Sequence, residues 1–185
     1  MPFIEGYKMG AIFQTAFTSR DLEATVTHFV DTLKIGPWFW TDTFHQPMIK
    51  YRGIETPGLQ VAIAWAFSGP MQYEIIVQKD SGPSVFRDAY ETTGYGLHHL
   101  AYFTDDFDAE QERFRADSVA IAFEVQMSPE LGGKRVFYAD TREKIGVMTE
   151  VGEYCDPVAT MFARMHAESV GWDGKRPIRS LSDII

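Results

Sequence analysis

The strongest constraint on this chain is that it repeats itself. Gln14-Thr-Ala-Phe-Thr-Ser-Arg-Asp21-Leu-Glu-Ala24 and His99-Leu-Ala-Tyr-Phe-Thr-Asp-Asp106-Phe-Asp-Ala109 read alike when set 85 positions apart (99 − 14). Ala16 matches Ala101, Phe17 matches Tyr102, Asp21 matches Asp106 and, further on, Phe29 matches Phe114. In each copy an extended run meets a polar turn rich in helix-capping residues, then a helical spacing begins. Leu22, Val26, Phe29, Val30 and Leu33 recur at intervals of three and four, which predicts a helix from about Asp21 to Leu33, stopped by Gly36-Pro37. The second helix is expected over Phe107 to Ala116, with Phe107, Gln111 and Phe114 along one face.

After each helix the pattern turns to strands. The first half offers Trp38–Asp42, Met48–Arg52, Gln60–Phe67 and Gln72–Val77; the second offers Ala120–Gln126, Arg135–Ala139 and Gly146–Val151. Thr56-Pro57-Gly58, Ser68-Gly69-Pro70 and Gly132-Gly133 punctuate them. Pro83 to Tyr90 reads as a linking helix. Each half is therefore a βαβββ unit, and the duplicated unit predicts an α+β fold with helices on one sheet face. The expected divisions are 1–90 for the first module and its linking helix, 91–153 for the second, and 154–185 for a C-terminal extension. In that extension Val158, Met161, Phe162 and Met165 share one face of a helix over Pro157–Val170, and a loop follows from Trp172 to Pro177.

Composition narrows the function classes. A hydrophobic fraction of 45% with 23% charged residues is that of an ordinary globular domain, so disorder does not dominate. A net charge of −9 with no basic stripe argues against nucleic acid as a partner. The single cysteine, Cys155, excludes an internal disulfide framework and fits a reducing compartment. The opening MPFIEGYKMG has neither a basic leader nor a long apolar run, and no stretch approaches the ~20 apolar residues of a spanning helix. A cytoplasmic protein without a membrane partner is expected.

Four residues do not suit ordinary strands. Alternation puts Gln14 on one face with Ala16 and Thr18, opposite Phe13, Thr15 and Phe17. It puts His99 with Ala101 and Phe103, and turns His98 the other way. Glu74 sits inside Met71-Gln-Tyr-Glu-Ile-Ile-Val77, and Glu150 inside Ile145-Gly-Val-Met-Thr-Glu-Val151. A carboxylate in a central apolar strand is costly unless it is paired, hydrogen-bonded or metal-bound, and a single one can simply face water at a sheet edge. Here two fall at equivalent places in two repeats. Each copy contributes a polar residue from its first strand and a Glu from its last: an imidazole, an amide oxygen and two carboxylates. That set suits a divalent ion of intermediate hardness such as Zn²⁺, Ni²⁺, Co²⁺ or Mn²⁺, and lacks the thiolates of structural zinc.

The segments His99-Leu-Ala-Tyr-Phe-Thr-Asp-Asp106 and Gln14-Thr-Ala-Phe-Thr-Ser-Arg-Asp21 resemble the vicinal oxygen chelate superfamily. Gly94-Tyr-Gly-Leu-His-His-Leu-Ala-Tyr102, following Tyr73-Glu-Ile-Ile-Val-Gln78, is similar to its methylmalonyl-CoA epimerase and glyoxalase I branch. The resemblance covers about residues 10–152. It implies tandem modules forming a curved mixed sheet around a cleft, a homodimer, and one divalent metal on Gln14, Glu74, His99 and Glu150. It also implies an isomerase, epimerase or lyase acting on a small-molecule substrate with adjacent oxygens, by removing a proton next to a carbonyl through a metal-stabilised enolate or enediolate. Glu150 is the first candidate for the base and Glu74 the second. A Gln in first place departs from the epimerase pattern and matches one glyoxalase I group. It also removes one of the two histidines that an Fe(II) dioxygenase triad requires.

Other residues carry weaker signals. His98 is expected to pack or to support its neighbour rather than ligate. His45, in the loop Thr43-Phe-His-Gln-Pro47, is a candidate for touching substrate, and His28 and His166 are expected to be exposed. Trp38, Trp40, Trp65 and Phe67 are candidates for lining a pocket for an apolar group, Arg52 is a candidate anion anchor, and Cys155 is expected to pack. The competing reading is a metal-free protein that sequesters a small aromatic molecule, as bleomycin-resistance members of the superfamily do.

Overall fold

The computed structural model describes residues 4–46, 48–92, 94–129 and 132–184. The side chain of His45 lies outside the described part, so its suggested contact with substrate does too. Among the described residues eleven strands form one sheet: β1 (Gln14–Thr18), β2 (Trp38–Gln46), β3 (Met48–Tyr51), β4 (Ile54–Thr56), β5 (Leu59–Ser68), β6 (Met71–Gln78), β7 (Gly96–Thr104), β8 (Ile121–Gln126), β9 (Arg135–Ala139), β10 (Met148–Glu153) and β11 (Ile178–Ser180). The helices are α1 (Leu22–Asp31), α2 (Val85–Thr92), α3 (Phe107–Ala116), α4 (Arg142–Ile145) and α5 (Asp156–Ser169).

Strand order is β11-β2-β5-β6-β1-β7-β10-β9-β8-β3-β4, and the repeat is visible in it. β1 and β7 pair antiparallel at the centre, each with the last strand of its own unit beside it in parallel, β6 and β10. Outward from these, β5 and β2 on one side answer β9 and β8 on the other. Two additions break the symmetry. The hairpin β3–β4 is encoded in the first half but pairs with β8 of the second, Met48 opposite Gln126. Its two-residue turn, Arg52-Gly53, has positive φ at both positions (51° and 80°), as tight hairpin turns of this handedness require. At the other edge β11 extends the sheet beside β2.

The matched aspartates of the repeat prove to be matched caps. Asp21 accepts a hydrogen bond from the Ala24 amide at 3.0 Å, and Asp106 from the Ala109 amide at 3.1 Å. α1 packs Leu22, Val26 and Phe29 onto Ala62, Ala64 and Ala66 of β5, a row of small residues that admits a helix closely. Leu33 is not part of that contact: the helix ends at Asp31 and Leu33 is exposed. α3 packs Phe107 and Phe114 onto Tyr102, Phe137 and Val151. These two helices share a sheet face, as expected. α2 and α5 do not. Phe86 of α2 and Met161, Phe162 and Met165 of α5 join the core cluster on the opposite, cleft-bearing side. Each such buried side chain stabilises the docking by roughly 1.5–3 kcal/mol. The strand expected from Gly146 begins two residues later, because Arg142–Ile145 forms a helical turn that Gly146 ends at φ 82°.

Candidate functional site

The site lies where the two repeats meet. β6 presents Gln72 and Glu74 on its buried face, and β10 presents Glu150 at the equivalent position. Antiparallel register sets an aromatic donor opposite each carboxylate: Trp65 on β5 faces Glu74, and Tyr138 on β9 faces Glu150. The Trp65 indole N–H donates to Glu74 Oε1 at 3.0 Å. His99 comes from β7, fully buried. Its Nε2 lies 3.3 Å from Glu74 Oε2 and 3.0 Å from Glu150 Oε2, and one ligand atom from each of the three residues falls within 4.8 Å of the others.

Gln14 enters from β1, 4% exposed, and lines the same cavity as Glu74 and Glu150. Its amide nitrogen donates to Gln72 Oε1 at 2.6 Å, which leaves Gln14 Oε1 buried with no hydrogen-bond partner. His99 Nε2 is in the same condition: both carboxylates are near it, and neither completes a hydrogen bond to it. Buried acceptors and ring nitrogens are nearly always satisfied in native proteins. Two carboxylates beside one imidazole are also poorly balanced, since even a protonated His99 offsets only one negative charge. A divalent cation would satisfy the orphaned oxygen, the orphaned nitrogen and both charges together. The donor set fits such an ion, and it fits the four residues marked from the repeat.

Electrostatics point the same way. Burial opposes a charge on His99, yet the adjacent carboxylates of Glu150, and then of Glu74, push it up to about 9. Burial raises the Glu74 carboxyl, and contacts with His99 and Trp65 only partly offset this. Burial, followed by the charges of Glu150 and Glu74, holds the Tyr138 hydroxyl well above its usual range, so it stays a donor beside Glu150. His98 behaves oppositely. Burial, and then the charge of His99, drive it down to about 3, so it is neutral.

His98 does not face away from its neighbour as simple alternation predicts. The β1–β7 register slips here, Ala16 standing opposite His99 and Phe17 opposite Leu97. His98 is the extra residue of a β-bulge, and a bulge re-aims side chains. Its Nδ1 therefore comes within 2.9 Å of His99 Nδ1, while its Nε2 lies 3.2 Å from the Val85 carbonyl oxygen of α2.

The cavity, of about 90 Å³, is polar where Gln14, Glu74, Glu150 and Tyr138 meet and again at Lys134, Arg135 and Glu153, and mostly apolar between. Phe13, Phe44, Trp65, Phe103, Met161 and Phe162 supply much of the apolar wall. Of the four aromatic candidates, Trp65 is in that wall and Phe67 packs behind it, against Phe162 at 6.5 Å. Trp38 and Trp40 lie under α1 on the other sheet face. Phe13 precedes the first residue of β1 yet is bonded to both neighbouring strands, its N–H donating to the Ala101 carbonyl at 3.0 Å and its carbonyl accepting from the Gln72 N–H at 2.8 Å; contrary to the alternation, its ring stacks on Phe103 at 4.7 Å on the cavity side. Arg52 is not an anion anchor there, because its guanidinium pairs with Asp88 at 2.7 Å and it does not line the cavity. Cys155 packs in the wall as expected. His28 is exposed, whereas His166 is half-buried against Phe67. Lys134, Arg135 and Glu153, joined by ion pairs of 3.0 and 3.1 Å, also border the cavity. Sequence reasoning missed Gln72 and Tyr138. Both are set by register across strands, a relation that spacing along the chain does not contain.

The family model described as Glyoxalase/Bleomycin resistance protein/Dioxygenase superfamily matches residues 13–138. Hypothetical protein BH1468 from Bacillus halodurans C-125 is similar at 16% identity and a TM-score of 0.53, over 79% of this chain and 95% of that one. Methylmalonyl-CoA epimerase from Mycobacterium tuberculosis is similar at 17% identity and a TM-score of 0.54, over 84% and 95%. At such identities the likeness is one of fold. No curated protein matches the chain. Among the described residues no helix is long and apolar enough to cross a membrane.

Proposed function

The chain belongs to the glyoxalase/bleomycin resistance protein/dioxygenase superfamily, and from that premise we propose that it is a metal-dependent isomerase, epimerase or lyase acting next to a carbonyl. The observation that carries this reading is the close group of Glu74, His99 and Glu150, whose two carboxylates share a cavity with the unpartnered oxygen of Gln14. Those four residues would hold one divalent ion, Zn²⁺, Ni²⁺, Co²⁺ or Mn²⁺. When bound, the ion supplies positive charge that stabilises the negative charge developing on the substrate's oxygens as the proton leaves.

The chain's own groups divide the remaining work. Glu150 is the base, taking the carbon-bound proton on a carboxylate oxygen. It is the more exposed of the two carboxylates, at 17% against 7% for the side chain. Glu74, the second carboxylate of the group, is the one placed to return the proton from another side. The Tyr138 hydroxyl steadies Glu150. The wall of Phe13, Trp65, Phe103 and Phe162 excludes water and suits a substrate with adjacent oxygens at one end and a compact apolar group at the other.

The test is elemental analysis of gently purified protein beside His99→Ala, with solvent-deuterium exchange into small carbonyl compounds. About one divalent ion per chain, absent in the variant, is expected. Glu150→Gln, which keeps an oxygen for the metal, should slow exchange by about 10²–10⁴-fold. No metal in the wild type after reconstitution with each of the four ions overturns the proposal. The apolar cavity would then point to metal-free sequestration of an aromatic ligand.

A further inference from the structure

His98 has a role that the metal site itself does not require by position, and its hydrogen-bond partners define it. We propose that His98 is a positioning residue that fixes the tautomer of His99: the Val85 carbonyl holds the His98 Nε2 proton, His98 Nδ1 accepts the Nδ1 proton of His99, and once His99 gives up its second proton it is the Nε2 lone pair that faces Glu74 and Glu150.

The argument is one of donors and acceptors. A backbone carbonyl oxygen only accepts, so the nitrogen 3.2 Å from Val85 O carries a proton. The two Nδ1 atoms, 2.9 Å apart, have room for one proton between them. His98 is 4% exposed and packs against Phe86 at 5.1 Å and Tyr138 at 6.2 Å. Its polar contacts are a carbonyl and another imidazole, so nothing beside it compensates a positive charge. A neutral ring with its proton on Nε2 must accept at Nδ1. The shared proton then belongs to His99 Nδ1, and the Nε2 of a neutral His99 is bare. It is the same Nε2 that lies 3.0 and 3.3 Å from the two carboxylates without completing a hydrogen bond to either. A ligating histidine commonly donates its other ring N–H to a carboxylate, carbonyl or water; here an imidazole takes that place, held by the N-terminal residue of α2.

This inference rests on the metal-site reading only for what the lone pair is used for, and the test separates the two. Two-bond ¹⁵N–¹H correlations on metal-free protein at pH 7 report which His98 nitrogen is protonated. Protonation at Nε2 alone is expected; protonation at Nδ1, or at both nitrogens, overturns the relay. Zn²⁺ affinity by chelator competition supplies the second measurement. His98→Leu should weaken it about 10–100-fold, and His98→Asn, which places an amide oxygen near the former Nδ1, should recover most of the loss. Unchanged affinity in a folded His98→Leu protein overturns the positioning role. If the wild type takes no Zn²⁺ the proposed function fails, while the nitrogen correlations still decide the tautomer.

Discussion

If the proposed ion binds at this site it must displace a proton, and that fixes how its affinity depends on pH. With no ion present, Glu150 and Glu74 push His99 up to about 9 despite its burial, so at pH 7 nearly every metal-free molecule carries a proton on the nitrogen that would ligate. Binding then releases about one proton, and apparent affinity falls about tenfold for each pH unit below 9. From pH 9 to pH 7 the expected loss is about 100-fold, or about 3 kcal/mol. The sign for the metal-free fold is opposite. A raised histidine stabilises the native state fully below its unfolded value of about 6.5 and loses that contribution as pH rises through 9. Metal-free protein should therefore weaken toward pH 10 while metal-loaded protein does not. Isothermal titration of Zn²⁺ in two pH 7 buffers of different ionisation enthalpy counts the released protons, and chelator competition at pH 7, 8 and 9 gives the slope. Equal affinity at pH 7 and 9, with no dependence on buffer, would show that His99 Nε2 is not displaced and would refute the reasoning.

Two further expectations concern the frame that holds the site. Phe162→Ala removes a ring that is 6% exposed and packed against Phe13, Trp65, Phe67 and Phe103. Because one side of the ring borders the cavity, the loss should be near the lower end for such a truncation, about 3 kcal/mol in urea unfolding; a loss under about 1 kcal/mol would mean that α5 is not docked on this wall. Asp21→Ala and Asp106→Ala each delete one helix cap and should each cost about 1 kcal/mol. The two costs should add in the double variant, and a clear departure would couple two caps that share no partner.

Local chemistry was legible and cross-strand chemistry was not. The caps Asp21 and Asp106, the face Phe107–Gln111–Phe114 and the strands Gln60–Phe67 and Arg135–Ala139 follow from spacing and propensity, and the structure has each within a residue or so. Glu74 and Glu150 stood out because a charge within an apolar strand demands an explanation. Tyr138 and Gln72 stood out to no rule, since each is an ordinary strand residue until register sets it opposite Glu150 or beside Gln14. The misreading of His98 has one physical cause: period-2 reasoning assumes an unbroken ladder, and the bulge at Ala16/Phe17 breaks it. The crossing of β3–β4 to the far module was equally hidden, because a hairpin's own sequence does not say which edge it will join.

The same slip accounts for how two copies of one unit build a single site with unlike ends. In the repeat's own alignment His98 stands where the first copy has Phe13 (98 − 85), just as His99 stands where it has Gln14. Phe13 immediately precedes β1 and turns its ring onto Phe103 and Phe162, so the first copy adds to the apolar wall. His98 is bulged out of the β7 ladder and turns back on His99, so the second copy gives His99 a polar neighbour. The carboxylates stay equivalent, each facing an aromatic donor on the next strand, Trp65 or Tyr138. Symmetry thus supplies the two carboxylates, while the residue beside each first-strand member of the group differs, a phenylalanine on the apolar wall in one copy and an imidazole in the other. α5, beyond residues 13–138 that the family model matches, closes the oily side with Met161 and Phe162. A segment that lies outside the duplicated core therefore supplies part of the cavity's apolar wall.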